Sequence, residues 1–340
     1  MKILLITHKF YPFIGGIEIN SEILAFEFQK KGHEVIVVTW TEDRDSTKKF
    51  PFEVIRNPDF FNLLKLHIWA DVVFENNPCI RLAWPALILR KKNVVAIRTW
   101  IRRIDGSKAW QDYLKLYWLR YANGIIAISN SVQKRSSNRA IVIGNPFRNG
   151  LFKDLGLKRS KDFVFIGRLV SDKGADLAIK ALHSIIKEND SVEKTTLTII
   201  GDGPEFGSLN SLVNQLEMKS NICFTGPLTG EALVKAINEH KFLLVPSLWE
   251  EPFGNVALEG MACGCIPIVS NGGGLPDAVG DAGLVFERGN LNDLIKTMKA
   301  VYSDEELGGK LKSNSVNHLR NHLPEVVAQK YLEVIESART

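Results

Sequence analysis

The sequence predicts an α/β protein built as two Rossmann-like, doubly wound parallel-sheet domains facing across a cleft. Three observations carry that prediction. Short apolar, β-branched runs alternate with helix-like segments along the whole chain. The runs fall into two series, separated at 144–161 by a stretch rich in Gly, Pro, Asn and Lys that suits a linker. A length of 340 residues also exceeds what one hydrophobic core usually serves. The expected boundaries are 1–147 for the first domain and 148–324 for the second, with a C-terminal helix, 325–340, open to packing back on the first.

In the first series KILLI (2–6) feeds a loop containing Gly15 and Gly16. A helix is expected from about Glu18, with Ile19, Ile23 and Phe26 on one face and Gly32 at its C-terminal cap. VIVV (35–38), DVVF (71–74), NVVAI (93–97), GIIAI (124–128) and IVI (141–143) continue it. The second series runs DFVFI (162–166), TLTII (196–200), NICF (221–224), FLLV (242–245) and IPIV (266–269), with helices expected at 175–187 and 255–262. Positions 110, 113, 114, 117, 118 and 121 form an aromatic stripe on one helical face, which is read as core-facing. The basic loop at 98–108 beside it suits an anionic acceptor or a membrane surface.

Composition narrows the class. With 45% hydrophobic and 24% charged residues the chain reads as globular, and no apolar run reaches the length of a transmembrane helix. The N-terminus reads on directly as a strand rather than a signal peptide. Cys79, Cys223, Cys263 and Cys265 are scattered among apolar neighbours and are read as reduced thiols of a cytoplasmic protein. Residues 1–147 hold 22 Lys and Arg against 13 Asp and Glu, while the remainder holds 21 against 25. That asymmetry suggests an anionic partner for the first half only. No nucleic-acid partner is expected.

The second domain opens with a strand, then Gly167-Arg168-Leu169-Val170-Ser171-Asp172-Lys173-Gly174, then a helix. Two cations flanking a turn at a helix start make a diphosphate clamp. Each is worth roughly 4 kcal/mol at about 4 Å from a phosphate charge and an effective dielectric near 20. Further on, Glu251 precedes a helix and Glu259 lies about two turns into it, so continuous helical rise would separate them by roughly 12 Å. That exceeds the ~5–5.5 Å and ~6.5–9.5 Å carboxyl separations of retaining and inverting glycosidases. The two carboxylates therefore suit hydroxyls at two ends of one elongated ligand. Between them Phe253-Gly254-Asn255 presents backbone N–H groups at a helix start, a second anion site.

The segments IGRLVSDKGADLAIKAL (166–182) and EEPFGNVALEGMACGCIPIVS (250–270) resemble the retaining glycosyltransferase family 4, of the GT-B fold. The resemblance extends over nearly the whole chain, through Gly15-Gly16-Ile17-Glu18, GDGPE (201–205) and FTGPLTGEAL (224–233). It implies that Arg168 and Lys173 bind the donor diphosphate, Glu259 the ribose hydroxyls and Glu251 the donor sugar. The amides of Phe253, Gly254 and Asn255 would contact the sugar and β-phosphate, and Gly203 belongs to the matching Gly-rich turn. Leu228 would lie against the base, and Gly16 would approach the phosphates. The implied reaction is metal-independent transfer of a hexosyl group, with retention, from a UDP-sugar to a glycan or lipid-linked acceptor in polysaccharide biosynthesis. UDP-glucose and UDP-N-acetylglucosamine lead among donors and GDP-mannose is the rival. No cofactor is expected. The setting is cytoplasmic, with peripheral association at the inner face of a membrane open.

One departure stands out. Family members carry a His where NVVAIRTW here offers Arg98 and Thr99, which become the candidates for the acceptor or sugar side; after DVVF stands Glu75-Asn76-Asn77. Asp43-Arg44-Asp45 has the form of a metal-binding motif but sits in a polar loop without other ligands, and GDGPEFG is not a dinucleotide fingerprint. A sugar-nucleotide epimerase and a non-catalytic nucleotide-sugar-binding protein share the same cleft and stay open as alternatives.

Overall fold

The computed structural model describes residues 1–42, 48–102, 106–188 and 194–339. Asp43-Arg44-Asp45 lies outside them. The chain forms two compact units, Met1–Pro146 with Pro324–Thr340, and Phe147–Leu323.

The first unit contains β1 (Lys2–Thr7), α1 (Gly16–Lys30), β2 (Glu34–Thr39), β3 (Glu53–Arg56), α2 (Phe60–Trp69), β4 (Val72–Asn76) and α3 (Ile80–Ile88). It continues with β5 (Lys92–Ile97), α4 (Trp110–Trp118), β6 (Gly124–Ala127), α5 (Asn130–Ser136) and β7 (Ile141–Val142), and ends with the closing helix Pro324–Arg339. Its strands are parallel in the order β3-β2-β1-β4-β5-β6-β7. The inner strands are buried on both faces, which is why they read as unbroken apolar runs. Leu24 and Phe28 of α1 meet Val327, Tyr331 and Ile335 of the closing helix on one face. Leu63 and Leu66 of α2, Leu82 and Ala86 of α3 and Trp118 of α4 cover the other.

The second unit contains β8 (Lys161–Ile166), α6 (Ala175–Glu188), β9 (Leu197–Ile200), α7 (Phe206–Gln215), β10 (Ile222–Gly226), α8 (Gly230–Asn238) and β11 (His240–Val245). Then follow α9 (Asn255–Ala262), β12 (Ile266–Ser270), α10 (Leu275–Val279), β13 (Leu284–Phe286), α11 (Leu291–Ser303) and α12 (Glu305–Arg320). The parallel order is β10-β9-β8-β11-β12-β13. In both sheets the strand order reverses once, between β1 and β4 and between β8 and β11. Such reversals open a crevice beyond the carboxyl ends of the strands.

Two local expectations fail, and two strands carried no signal. Helix α1 starts at Gly16, close to the expected Glu18, but its buried side carries Asn20, Leu24 and Phe28, leaving Phe26 48% exposed. The aromatic stripe of α4 faces outward instead of into the core. Only Trp118 is buried; its indole N–H donates to the buried Glu75 carboxylate at 2.7 Å, and this anchor sets the helix rotation. Strands β3 and β13, short and only partly buried, lack the continuous apolar signal of a covered strand and so are not marked in the sequence.

Candidate functional site

In the second unit the residues singled out from sequence gather around the β8/β11 reversal. After β8 the chain turns through Gly167-Arg168-Leu169. The amide of Leu169 donates to Asp202 O at 2.9 Å, and Glu205 N donates to Leu169 O at 3.0 Å. A Cβ on Gly203 would stand 2.3 Å from Leu169 O, and one on Gly201 1.9 Å from Gly167 O. These glycines therefore let two backbones touch, and Gly203 acts by holding the Arg168 turn. Gly201 N in turn donates to Gly226 O at 3.0 Å, so the turns after β8, β9 and β10 lie side by side. Half-buried Leu228 follows in the third of them. Arg168 is exposed and forms no ion pair among the described residues.

Lys173 ends a short 3-10 turn, Ser171–Lys173, followed by Gly174 at φ 71°. A Cβ there would come within 2.1 Å of Pro246 O, so only glycine lets this turn sit against the end of β11. Asp172 O accepts from the amides of Leu248 (2.8 Å) and Trp249 (3.1 Å), closing the contact. The outcome is an ion pair between Lys173 Nζ and Glu251 Oε1 across the strand reversal. Ser247 Oγ donates to the same carboxylate oxygen at 3.1 Å. The backbone of Glu251 is held as well: Gly274 N donates to its carbonyl at 2.7 Å, with Gly273 packed against that carbonyl. This supporting glycine loop lies within the motif segment, yet its role appears only in three dimensions.

Gly254, at φ 115°, delivers the chain into α9, and Leu275 closes over it. Phe253 is buried with its ring 5.7 Å from that of His322. Helix α9 begins only at Asn255, so four of the eight steps along the chain from Glu251 to Glu259 rise helically, and Glu259 sits about one turn in rather than two. The 12 Å argument from continuous rise is thus overturned. The first-turn amides around Asn255 nevertheless point out of the helix start, where a negative group is favoured. Burial pushes the Glu259 carboxyl up to about 7, opposed by Arg148, whose Nη2 lies 3.6 Å away. Arg148 stands in the linker and carried no motif signal.

In the first unit Gly16 is exposed at the start of α1, and Gly15 caps it in an extended conformation. Asn76 Nδ2 donates to Ser21 Oγ at 2.6 Å and to Ile17 O at 3.2 Å, fastening this helix start to the end of β4. Arg98, expected on a basic surface loop, points into the first unit instead. It is 4% exposed, its Nε donates to Asn76 Oδ1 (2.6 Å), its Nη1 to Asn145 Oδ1 (2.7 Å), and its guanidinium lies 5.1 Å from the Tyr331 ring centroid. Arg98 is a structural tie, and Thr99, half-buried after β5, is what remains of that pair of candidates. His8, which no motif in the sequence marks, follows β1 at the strand reversal. Partial burial lowers its pKa from the usual imidazole value, opposed in part by a hydrogen bond to the backbone of Pro78. Among the described residues no group of His, Cys, Asp or Glu could hold a metal ion.

The family model described as glycosyl transferases group 1 matches residues 148–318, which contain the whole Lys173–Glu251 arrangement. An uncharacterized glycosyltransferase of Methanocaldococcus jannaschii is 32% identical, with 92% of each chain covered. The N-acetyl-alpha-D-glucosaminyl L-malate synthase of Bacillus anthracis is 31% identical over 87% of each. The HepE protein of Anabaena, crystallised in complex with UDP, superposes with a TM-score of 0.81 at 20% identity, covering 99% of this chain and 100% of that one, and shares the GT-B fold. On the family match and these full-length relatives, the chain belongs to the glycosyl transferases group 1, and it is a glycosyltransferase.

Proposed function

We propose that this glycosyltransferase moves a hexosyl group, with retention and without a metal, from a UDP-sugar to a hydroxyl of a glycan or lipid-linked acceptor in polysaccharide biosynthesis. UDP-glucose and UDP-N-acetylglucosamine are the favoured donors. The observation that carries the reading is the Lys173–Glu251 pair across the β8/β11 reversal, with Arg168 exposed on the turn before it. A diphosphate arriving there competes with Glu251 for Lys173 and leaves the carboxylate to accept hydrogen bonds from sugar hydroxyls. In the reaction the bond from the anomeric carbon to the leaving phosphate oxygen breaks while one to the acceptor oxygen forms on the same face. The acceptor proton passes to the leaving diphosphate. Charge grows on that diphosphate in the transition state, and Arg168, Lys173 and the α9 amides around Phe253, Gly254 and Asn255 are aimed to stabilise it. Glu259 receives the ribose hydroxyls and Leu228 lies against the base.

The UDP bound in the HepE complex and the N-acetylglucosaminyl group in the name of the Bacillus relative support the donor. The reading sets the reaction in the cytoplasm, consistent with four free thiols, of which Cys263 and Cys265 are held at about 12 by burial. Lys173→Ala is expected to lower kcat/KM by roughly 10²–10³, the size of losing one preorganised donor. The check is release of UDP from a panel of UDP-sugars with and without glycan acceptors. Unchanged turnover in the variant would remove the clamp.

A further inference from the structure

The helices on the two faces of the first sheet differ sharply. On α1 and the closing helix the only large apolar side chain exposed is Phe26, and their residues count six Glu against three Lys and Arg. The opposite layer, α2 to α4, exposes Phe61 (73%), Ile68 and Ile88, then Trp110 (71%), Tyr113 and Tyr117. Residues 60–70, 80–92 and 108–121 hold eight Lys and Arg and one acid, Asp112, which is buried and accepts from Ala109 N at 3.0 Å. The cationic excess of the first unit is thus strongly concentrated on the face that also shows its apolar side chains.

Cations and rings are interleaved there. Lys108 Nζ lies 5.9 Å from the centroid of Tyr113, and the Arg120 guanidinium 5.5 Å from that of Tyr117. Between the ends of α3 and α4 a cavity of about 250 Å³ is lined by Arg90, Lys91, Lys92 and Tyr121. No helix of the described chain is long and apolar enough to cross a membrane. Aromatic side chains with polar tips, flanked by Lys and Arg and with a single buried acid, Asp112, beside Lys115, match the interfacial zone of a bilayer with negative headgroups.

We propose that the α2–α3–α4 face of the first unit docks on an anionic lipid bilayer, the cavity lined by Arg90 and Lys92 receiving a headgroup phosphate. The docking is independent of the donor reading. The test is flotation of the full chain with vesicles of phosphatidylcholine alone and with 30% phosphatidylglycerol, without nucleotide. The expected result is at least tenfold stronger partitioning to the anionic vesicles, lost in 0.5 M salt. Trp110→Ser/Tyr113→Ser/Tyr117→Ser and, separately, Arg90→Gln/Lys92→Gln/Arg120→Gln should each reduce it at least tenfold. Both should keep wild-type melting and UDP affinity, because these side chains lie at the surface. No partitioning to anionic vesicles, or variants that partition like the wild type, overturns the proposal. So does a dimer in light scattering, abolished by the aromatic substitutions, in a chain that ignores vesicles. Failure of UDP to bind in calorimetry would count against the donor reading and leave this one untouched.

Discussion

Lys173 and Glu251 neutralise each other in the ligand-free chain, so they are a pair to be opened by substrate. Glu251→Gln should leave UDP affinity unchanged or tighter, because Lys173 is released, while kcat falls. Parallel loss of both in calorimetry and turnover would contradict the exchange of partners. Glu259 supplies a pH signature. Its folded pKa of about 7 lies above the ordinary carboxyl value of 4.5, so between those values the folded state binds more protons than the unfolded. Stability present at acid pH is therefore lost as pH rises through that window, by roughly 1–3 kcal/mol. Glu259→Gln should flatten this dependence in denaturation curves. Hydroxyls donating to the carboxylate favour its ionised form, so the tightening of UDP binding from pH 6 to pH 8, to which the ionisation of the terminal phosphate also contributes, should be larger in the wild type than in Glu259→Gln.

At the scale of elements, the site is a set of turns pressed together at the ends of β8, β9, β11 and β12. Gly174, Gly201 and Gly203 permit contacts that a Cβ would block at 2.1, 1.9 and 2.3 Å. Gly201→Ala, at φ 144° against a backbone oxygen, is expected to cost several kcal/mol, within the range of strained backbone and forced displacement. It should also cost UDP binding, by moving the Arg168 turn. Wild-type melting in that variant would show that the turns are not in register. Much of this level was legible in the chain. The turn–helix motif at 167–175 and the bounds of α9, Asn255–Ala262, followed from Gly placement and apolar spacing. The direction of the α4 stripe did not. A stripe establishes that a helix has two sides, while burial of Trp118 against Glu75, 43 residues away, decides which side meets the sheet.

Across the whole molecule, the chain leaves the first unit at Pro146 and re-enters it at Pro324. The closing helix inserts Tyr331, fully buried, between the Arg98 guanidinium and the Phe74 ring. Tyr331→Ala should destabilise the protein by about 3–5 kcal/mol, as for other large buried rings. Tyr331→Phe should be neutral or slightly stabilising, because the hydroxyl is buried with no hydrogen-bond partner among the described residues. Thermal melts of the two variants decide, and a large loss in Tyr331→Phe would reveal a partner. The sequence by itself determined the alternation of strands and helices, the parallel sheets and the turn and helix start that carry Arg168, Lys173 and Phe253-Gly254-Asn255, because periodicity and glycine placement act over a few residues. Tertiary structure alone decided that Lys173 meets Glu251, 78 residues away, that Arg98 turns inward as a tie, and that the aromatics of α4 face out. Those outcomes depend on which distant loops a strand reversal brings together and which helix side the sheet can cover, and neither is encoded in local spacing.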